Sequence, residues 1–181
     1  MRIVLPALAA ALAAAPVHAG ILLEGRLEGQ EVRVELGAIV TDKAVVTVGG
    51  DRRVVRLDRP APAAADPYRL RRWSGGPQVA GYGSNYNVLT LDQTICGEVL
   101  ASPWMAEFLA PAVQALALVQ QGDPRLAPKE REGCGVIPFG VFAYNGFPLM
   151  AGWRDEAVFV TERILFDHPT PAELRPPGSK P

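Results

Sequence analysis

The chain has 181 residues, 49% of them hydrophobic, and its 18 Lys and Arg against 19 Asp and Glu leave a formal net charge of −1 at pH 7. Such a balance offers no overall field for a polyanion, so nucleic acid is not an expected partner. Two histidines and two cysteines supply few of the ligands that zinc sites use, and neither a metal nor a cofactor is expected.

Residues 1–19 read as a signal peptide, with Arg2 as the charged region, an apolar run from Ile3 to Ala15, and Val17-His18-Ala19 as a small-residue cleavage site. The run is broken by Pro6 and followed by Pro16, and it is short for a bilayer span. Cleavage before Gly20, with no stable membrane insertion afterwards, is therefore the expectation. Lysine occurs only at Lys43, Lys129 and Lys180, while Ala and Pro abound; we read this as a GC-rich bacterial coding bias, and the expected address as periplasmic or secreted. In an oxidising compartment Cys96 and Cys134 are expected to form a structural disulfide, because no close Cys-x-x-Cys pair suggests redox catalysis. One β-rich domain is expected over residues 20–167. The tail, 168–181, holds five prolines and is expected to be poorly ordered or laid across the surface.

From Ile21 to Asp58 the pattern is β. Val32, Val34 and Leu36 alternate with Arg33 and Glu35, the period of a strand with one wet face. Lys43 to Val48 and Arg52 to Leu57 follow, separated by Gly49-Gly50-Asp51, so the segment reads as an antiparallel meander. Arg59 to Pro67 is Pro/Ala-rich and should be a loop. Tyr68 to Trp73 carries three arginines beside two aromatics, which suits an edge strand guarded by charge or an anion site. Gly75 to Gly83 is a glycine-rich turn region without the third glycine and helix of a phosphate loop. Asn85 to Leu91 and Ile95 to Leu100 are two further strands around Asp92-Gln93-Thr94.

Ser102-Pro103 is a helix start, serine capping and proline at the first position. Trp104, Met105, Phe108, Leu109, Val113, Leu116 and Val119 recur at three- and four-residue steps as a broad apolar face. Pro111 is expected to kink or divide this helix, and Gly122-Asp123-Pro124 to end it. After a charged loop, Val136 to Tyr144 reads as a strand turning at Asn145-Gly146, Phe147 to Trp153 as its return, and Ala157 to Phe166 as the last strand. The fold class expected is α+β, mainly antiparallel β: a strongly curved sheet or incomplete β-barrel with one long helix on the concave face.

This order of parts, with Val79-Ala80-Gly81-Tyr82 entering a strand, Glu98-Val99-Leu100-Ala101-Ser102-Pro103-Trp104 entering the helix, Gly146-Phe147-Pro148-Leu149, and a closing Leu174-Arg175-Pro176-Pro177-Gly178, resembles the periplasmic lipoprotein-carrier (LolA/LolB-like) superfamily and a group of exported bacterial proteins of similar pattern. The resemblance implies an incomplete barrel whose mouth is covered by a helix and whose apolar interior suits acyl chains. It departs from the pattern at Leu174, where an aromatic is usual, and in its long disulfide.

Catalytic groups are sparse. His168 is the one histidine beyond the leader, no Gly-x-Ser-x-Gly elbow occurs, and its bland reading is a solvated side chain. Asp92, Glu98, Glu107, Asp155, Glu156 and Glu162 could supply a glycosidase-type pair. The larger set is apolar: Trp104, Phe108, Leu109, Phe139, Phe142 and Trp153, with Tyr144 and Phe147, either pack the core or line an apolar ligand pocket beneath the helix. The leading expectation is a non-enzymatic, soluble periplasmic binding or carrier-like protein for a hydrophobic small molecule, lipid or lipidated protein. A non-catalytic envelope protein-protein interaction module using a sheet edge is the alternative, and a carboxylate-based hydrolase the third reading.

Overall fold

The computed structural model describes residues 19–39, 41–57 and 67–178. The expected leader, apart from Ala19, and the Arg59 to Pro67 loop, apart from Pro67, lie outside the described residues. The chain opens with a meander of β1 (Ala19–Leu27), β2 (Gln30–Leu36), β3 (Lys43–Val48) and β4 (Asp51–Arg56), and continues with β5 (Tyr68–Gly75), β6 (Asn85–Leu91) and β7 (Thr94–Ser102). Helix α1 (Ala106–Gly122) follows, then β8 (Glu130–Arg131), β9 (Gly135–Val136), β10 (Phe147–Trp153) and β11 (Glu156–Pro169). Nine strands form one antiparallel sheet in the order β4-β3-β2-β1-β11-β10-β7-β6-β5, with β8 and β9 a small separate pair. The sheet is curved but not closed into a barrel, and the long helix packs on its concave side.

Tight turns set much of this register. Glu28-Gly29 and Gly49-Gly50 join neighbouring strands, with first-position φ values of 51° and 53°, and Asp92 and Arg154 do the same at 54° and 53°. Left-handed residues at these points match the strand twist, which is why two residues suffice. Inward side chains then align across strands: Leu23 faces Val34, and Val34 faces Val46, all of them buried.

The helix covers β2, β3, β4 and β10. A short 3-10 stretch, Pro103–Met105, precedes it, and Ser102 makes no side-chain cap, contrary to the expected serine cap. Pro111 sits inside a continuous helix instead of dividing it. The buried stripe is Leu109, Ala112, Ala115, Leu116 and Val119, with Met105 and Val113 packed partly against the core, so most of the expected face points in, while Trp104 and Phe108 are turned out, 84% and 59% exposed. Alanines on that stripe let the helix axis approach the sheet closely, which aromatics would prevent.

Val136 to Tyr144 is not a strand. Phe139–Ala143 forms a 3-10 turn that buries Phe139, Val141 and Phe142 against α1, β5, β7 and β10. Asn145-Gly146 accordingly closes no hairpin; it leads from that turn into β10. The Asn145 amide donates to Leu70 O at 2.9 Å and to Asn87 Oδ1 at 3.2 Å, and a Cβ on Gly146 would lie 2.7 Å from Ser102 O. Tertiary contacts override the local turn signal here. The Phe139 amide also donates to Gln120 Oε1 at 2.9 Å, tying the turn to the helix.

Cys96 and Cys134 form a disulfide across 38 residues, joining β7 to the segment that follows the helix. Beside it the Tyr68 phenol donates to Cys134 O at 2.5 Å, and burial pushes that phenol up. Arg131, buried with its partner, reaches both Glu28 oxygens at 3.2 and 3.3 Å, pinning the β1–β2 turn to the same segment. The tail described to Gly178 is docked across the sheet: Leu174 is fully buried in a 3-10 turn against β3, and Glu173 pairs with Arg52.

Candidate functional site

The outward-turned aromatics of the helix start meet two others. Between β5 and β6 the Val79-Ala80-Gly81-Tyr82 phrase folds on itself, with Val79 and Tyr82 exchanging backbone hydrogen bonds of 2.9 Å and Ala80 and Gly81 left-handed at 50° and 84°. This tight turn throws Tyr82 toward β11. Its phenol donates to Ile164 O at 3.3 Å, and its ring meets Phe166 edge-on at 6.5 Å. Phe166 in turn meets Phe108 edge-on at 6.3 Å, and Trp104 precedes Phe108 by one helical step on the exposed side.

These groups gather where β10 and β11 part. The registered pairs between those strands end at Met150 and Val160, next to Pro148, which has no amide hydrogen to continue the ladder. Beyond that point β11 runs on with β1 as its registered partner, to Pro169. The result is an aromatic mouth, Tyr82, Phe108 and Phe166, beside the N-terminal end of α1, with Trp104 exposed one helical step before Phe108. Beyond the area they bury, single edge-on aromatic pairs contribute about 0.5–1.5 kcal/mol, and Tyr82 and Val79 are also packed, partly buried, against the core.

The expected pocket residues do not converge on one space. Leu109, Phe139 and Phe142 lie in the buried core, where Phe139 stacks edge-on with Phe142 at 6.5 Å and with Phe159 at 4.9 Å. Trp104 and Phe108 stand at the mouth. Trp153 lies at the far end of β10, packed partly on the core, with the Arg154 guanidinium 4.4 Å above its ring. Tyr82 and Phe166 were not singled out from the sequence as site residues, although Tyr82 belongs to a phrase that carries the resemblance.

A second feature lies on the outer face of the sheet. Tyr86, Leu100 and Met150 align across β6, β7 and β10, and in the next row Glu98 faces Gly152, which faces Ala157. Because glycine and alanine stand where larger side chains would fill the surface, a dent of about 450 Å³ opens there, bordered also by Pro77, Asp155 and Glu156. Of the acidic residues noted in sequence, Glu98, Asp155 and Glu156 share this dent, and Asp92, Glu107 and Glu162 do not. His168 is half-buried 3.2 Å from Glu35 and 3.4 Å from Arg33, a structural contact, not the solvated side chain expected. Among the described residues no group of three metal-ligating side chains occurs, and no helix is long and apolar enough to cross a membrane.

Comparison with known proteins found no family model that matches the chain, and no curated protein or solved structure significantly similar to it.

Proposed function

We propose that this is an exported, non-enzymatic binding or carrier-like protein that takes a hydrophobic ligand, an acyl chain or the lipid of a lipidated partner, at the aromatic mouth. The observation that carries the reading is the convergence of Tyr82, Phe108 and Phe166 from a loop, a helix start and a strand end, with Phe108 59% exposed and Trp104, one helical step before it, 84% exposed. Contiguous exposed apolar surface of this kind marks interaction sites. An acyl chain entering beside Phe108 would exchange weak ring contacts for more extensive apolar burial, at roughly 0.8 kcal/mol per methylene removed from water. The likeness in sequence order to the lipoprotein carriers supports the same class of ligand.

A test is displacement of a fluorescent fatty acid. The wild-type chain should bind the probe saturably, and Phe108→Ala and Trp104→Ala should each weaken it while melting close to the wild type. Absence of saturable binding by the wild type would remove the reading. One observation favours the interaction-module alternative: β5 is one of the two terminal strands of the sheet, and its Arg71, Arg72 and Trp73 are all exposed. Capture of a stoichiometric protein partner that Trp73→Ala abolishes, with no lipid bound, would select it.

A further inference from the structure

The dent on the outer face has a mixed lining. Its floor is backbone and small side chains at Gly152 and Ala157, its apolar wall is Leu100, Met150 and Pro77, and its polar side is Tyr86, Glu98 and Asp155. A volume of about 450 Å³ is within the range of small-molecule sites.

Charge decides what would fill it. Of the four charged residues on the rim, Arg154 is engaged by the Trp153 ring and by Glu132 at 3.4 Å, and Glu156 is paired with Lys129. Glu98 and Asp155 have no cationic partner among the described residues. Hydrogen bonding to the Glu98 carboxylate, with burial, pushes the neighbouring Tyr86 phenol up to about 12, so at neutral pH the phenol is a donor. The dent therefore presents two carboxylates outside any salt bridge among the described residues, beside an apolar wall and the Tyr86 ring.

We infer that this dent binds an organic cation, an ammonium or guanidinium group carried on a short apolar stem, with the charge at Glu98 and Asp155 and the stem along Leu100 and Met150. The site is separate from the aromatic mouth and does not depend on it. Such a group could belong to a free amine or to a basic side chain of another protein, and the chemistry of recognition is the same for both.

Isothermal titration of the full chain with agmatine, in which a butyl stem joins an ammonium to a guanidinium, tests this at low ionic strength. Saturable one-to-one binding is expected, weakened about tenfold or more by Glu98→Gln, which keeps the shape and removes a charge-assisted contact. It should weaken similarly in Ala157→Leu, which fills the dent and keeps both carboxylates, and fade as salt is added. Phe108→Ala should leave it unchanged. A parallel titration with an acetylated, amidated arginine tripeptide distinguishes the sources: tighter binding of the tripeptide assigns a protein side chain, tighter binding of agmatine a free amine. If neither probe binds saturably, or if Glu98→Gln and Ala157→Leu both bind like the wild type, the inference is overturned.

Discussion

Asp123 illustrates how single residues hold the ends of elements here. It follows the last turn of α1 and accepts from the Arg125 amide and guanidinium at 2.9 to 3.0 Å, while Arg53 of β4 pairs with its second oxygen. Hydrogen bonds from Arg125, then from Arg53, hold its carboxyl well below the usual carboxylate range despite burial. A depressed folded pKa means that the stabilisation is complete above the unfolded value, about 3.9 for Asp, and is lost as pH falls through the folded value. Asp123→Asn should therefore lower stability at pH 7 and flatten the acid limb of a stability-versus-pH curve below about pH 4. Denaturant melts of both proteins across that window would check it. The disulfide acts at the same scale: Cys96→Ser should cost about 2–5 kcal/mol, by releasing the closed loop in the unfolded chain, measured as a fall in the urea midpoint.

Among elements, the helix separates what packs from what is offered to solvent. Phe142→Ala should cost about 3–5 kcal/mol, because a fully buried ring leaves a void when removed. Phe108→Ala should cost no more than about 1 kcal/mol, since more than half of that side chain faces water and surface changes are usually small. The tail behaves as an element too. Leu174 and Val45 on the outer side of β3 are both fully buried and lie outside the main core, so Leu174→Ala should lose about 2–5 kcal/mol, and thermal melts of the variant would show it. The meander and the β10–β11 pair were legible because alternation and turn residues such as Gly49-Gly50 act locally. The inward face of α1 was legible at Leu109, Leu116 and Val119 but not at its start, since apolar size points to Trp104 and Phe108 whereas close packing on a sheet selects Ala112 and Ala115. Nor was the 3-10 turn at Phe139–Ala143, whose course is fixed by Gln120 and Asn87 from other elements. The burial of Leu174 was not legible either, because its partner surface on β3 lies far away in sequence.

At the level of the whole molecule, the sheet is open, the described centre of the concave side is filled by Leu, Val and Phe side chains, and the aromatic mouth sits where two central strands diverge. Those three facts give the chain a packed body with one exposed apolar end. The mouth itself could not be read from sequence, because Tyr82, Phe108 and Phe166 come from elements that only the fold brings within ring contact. Trp104 reports on it directly. In a variant carrying Trp73→Phe and Trp153→Phe, Trp104 is the sole tryptophan, and a brominated fatty acid bound at the mouth would quench it at short range. Saturable quenching, competed away by an unbrominated fatty acid and lost in the further variant Phe108→Ala, is the result predicted; emission from Trp104 that a brominated fatty acid leaves unchanged, in a chain that remains folded, would contradict the account.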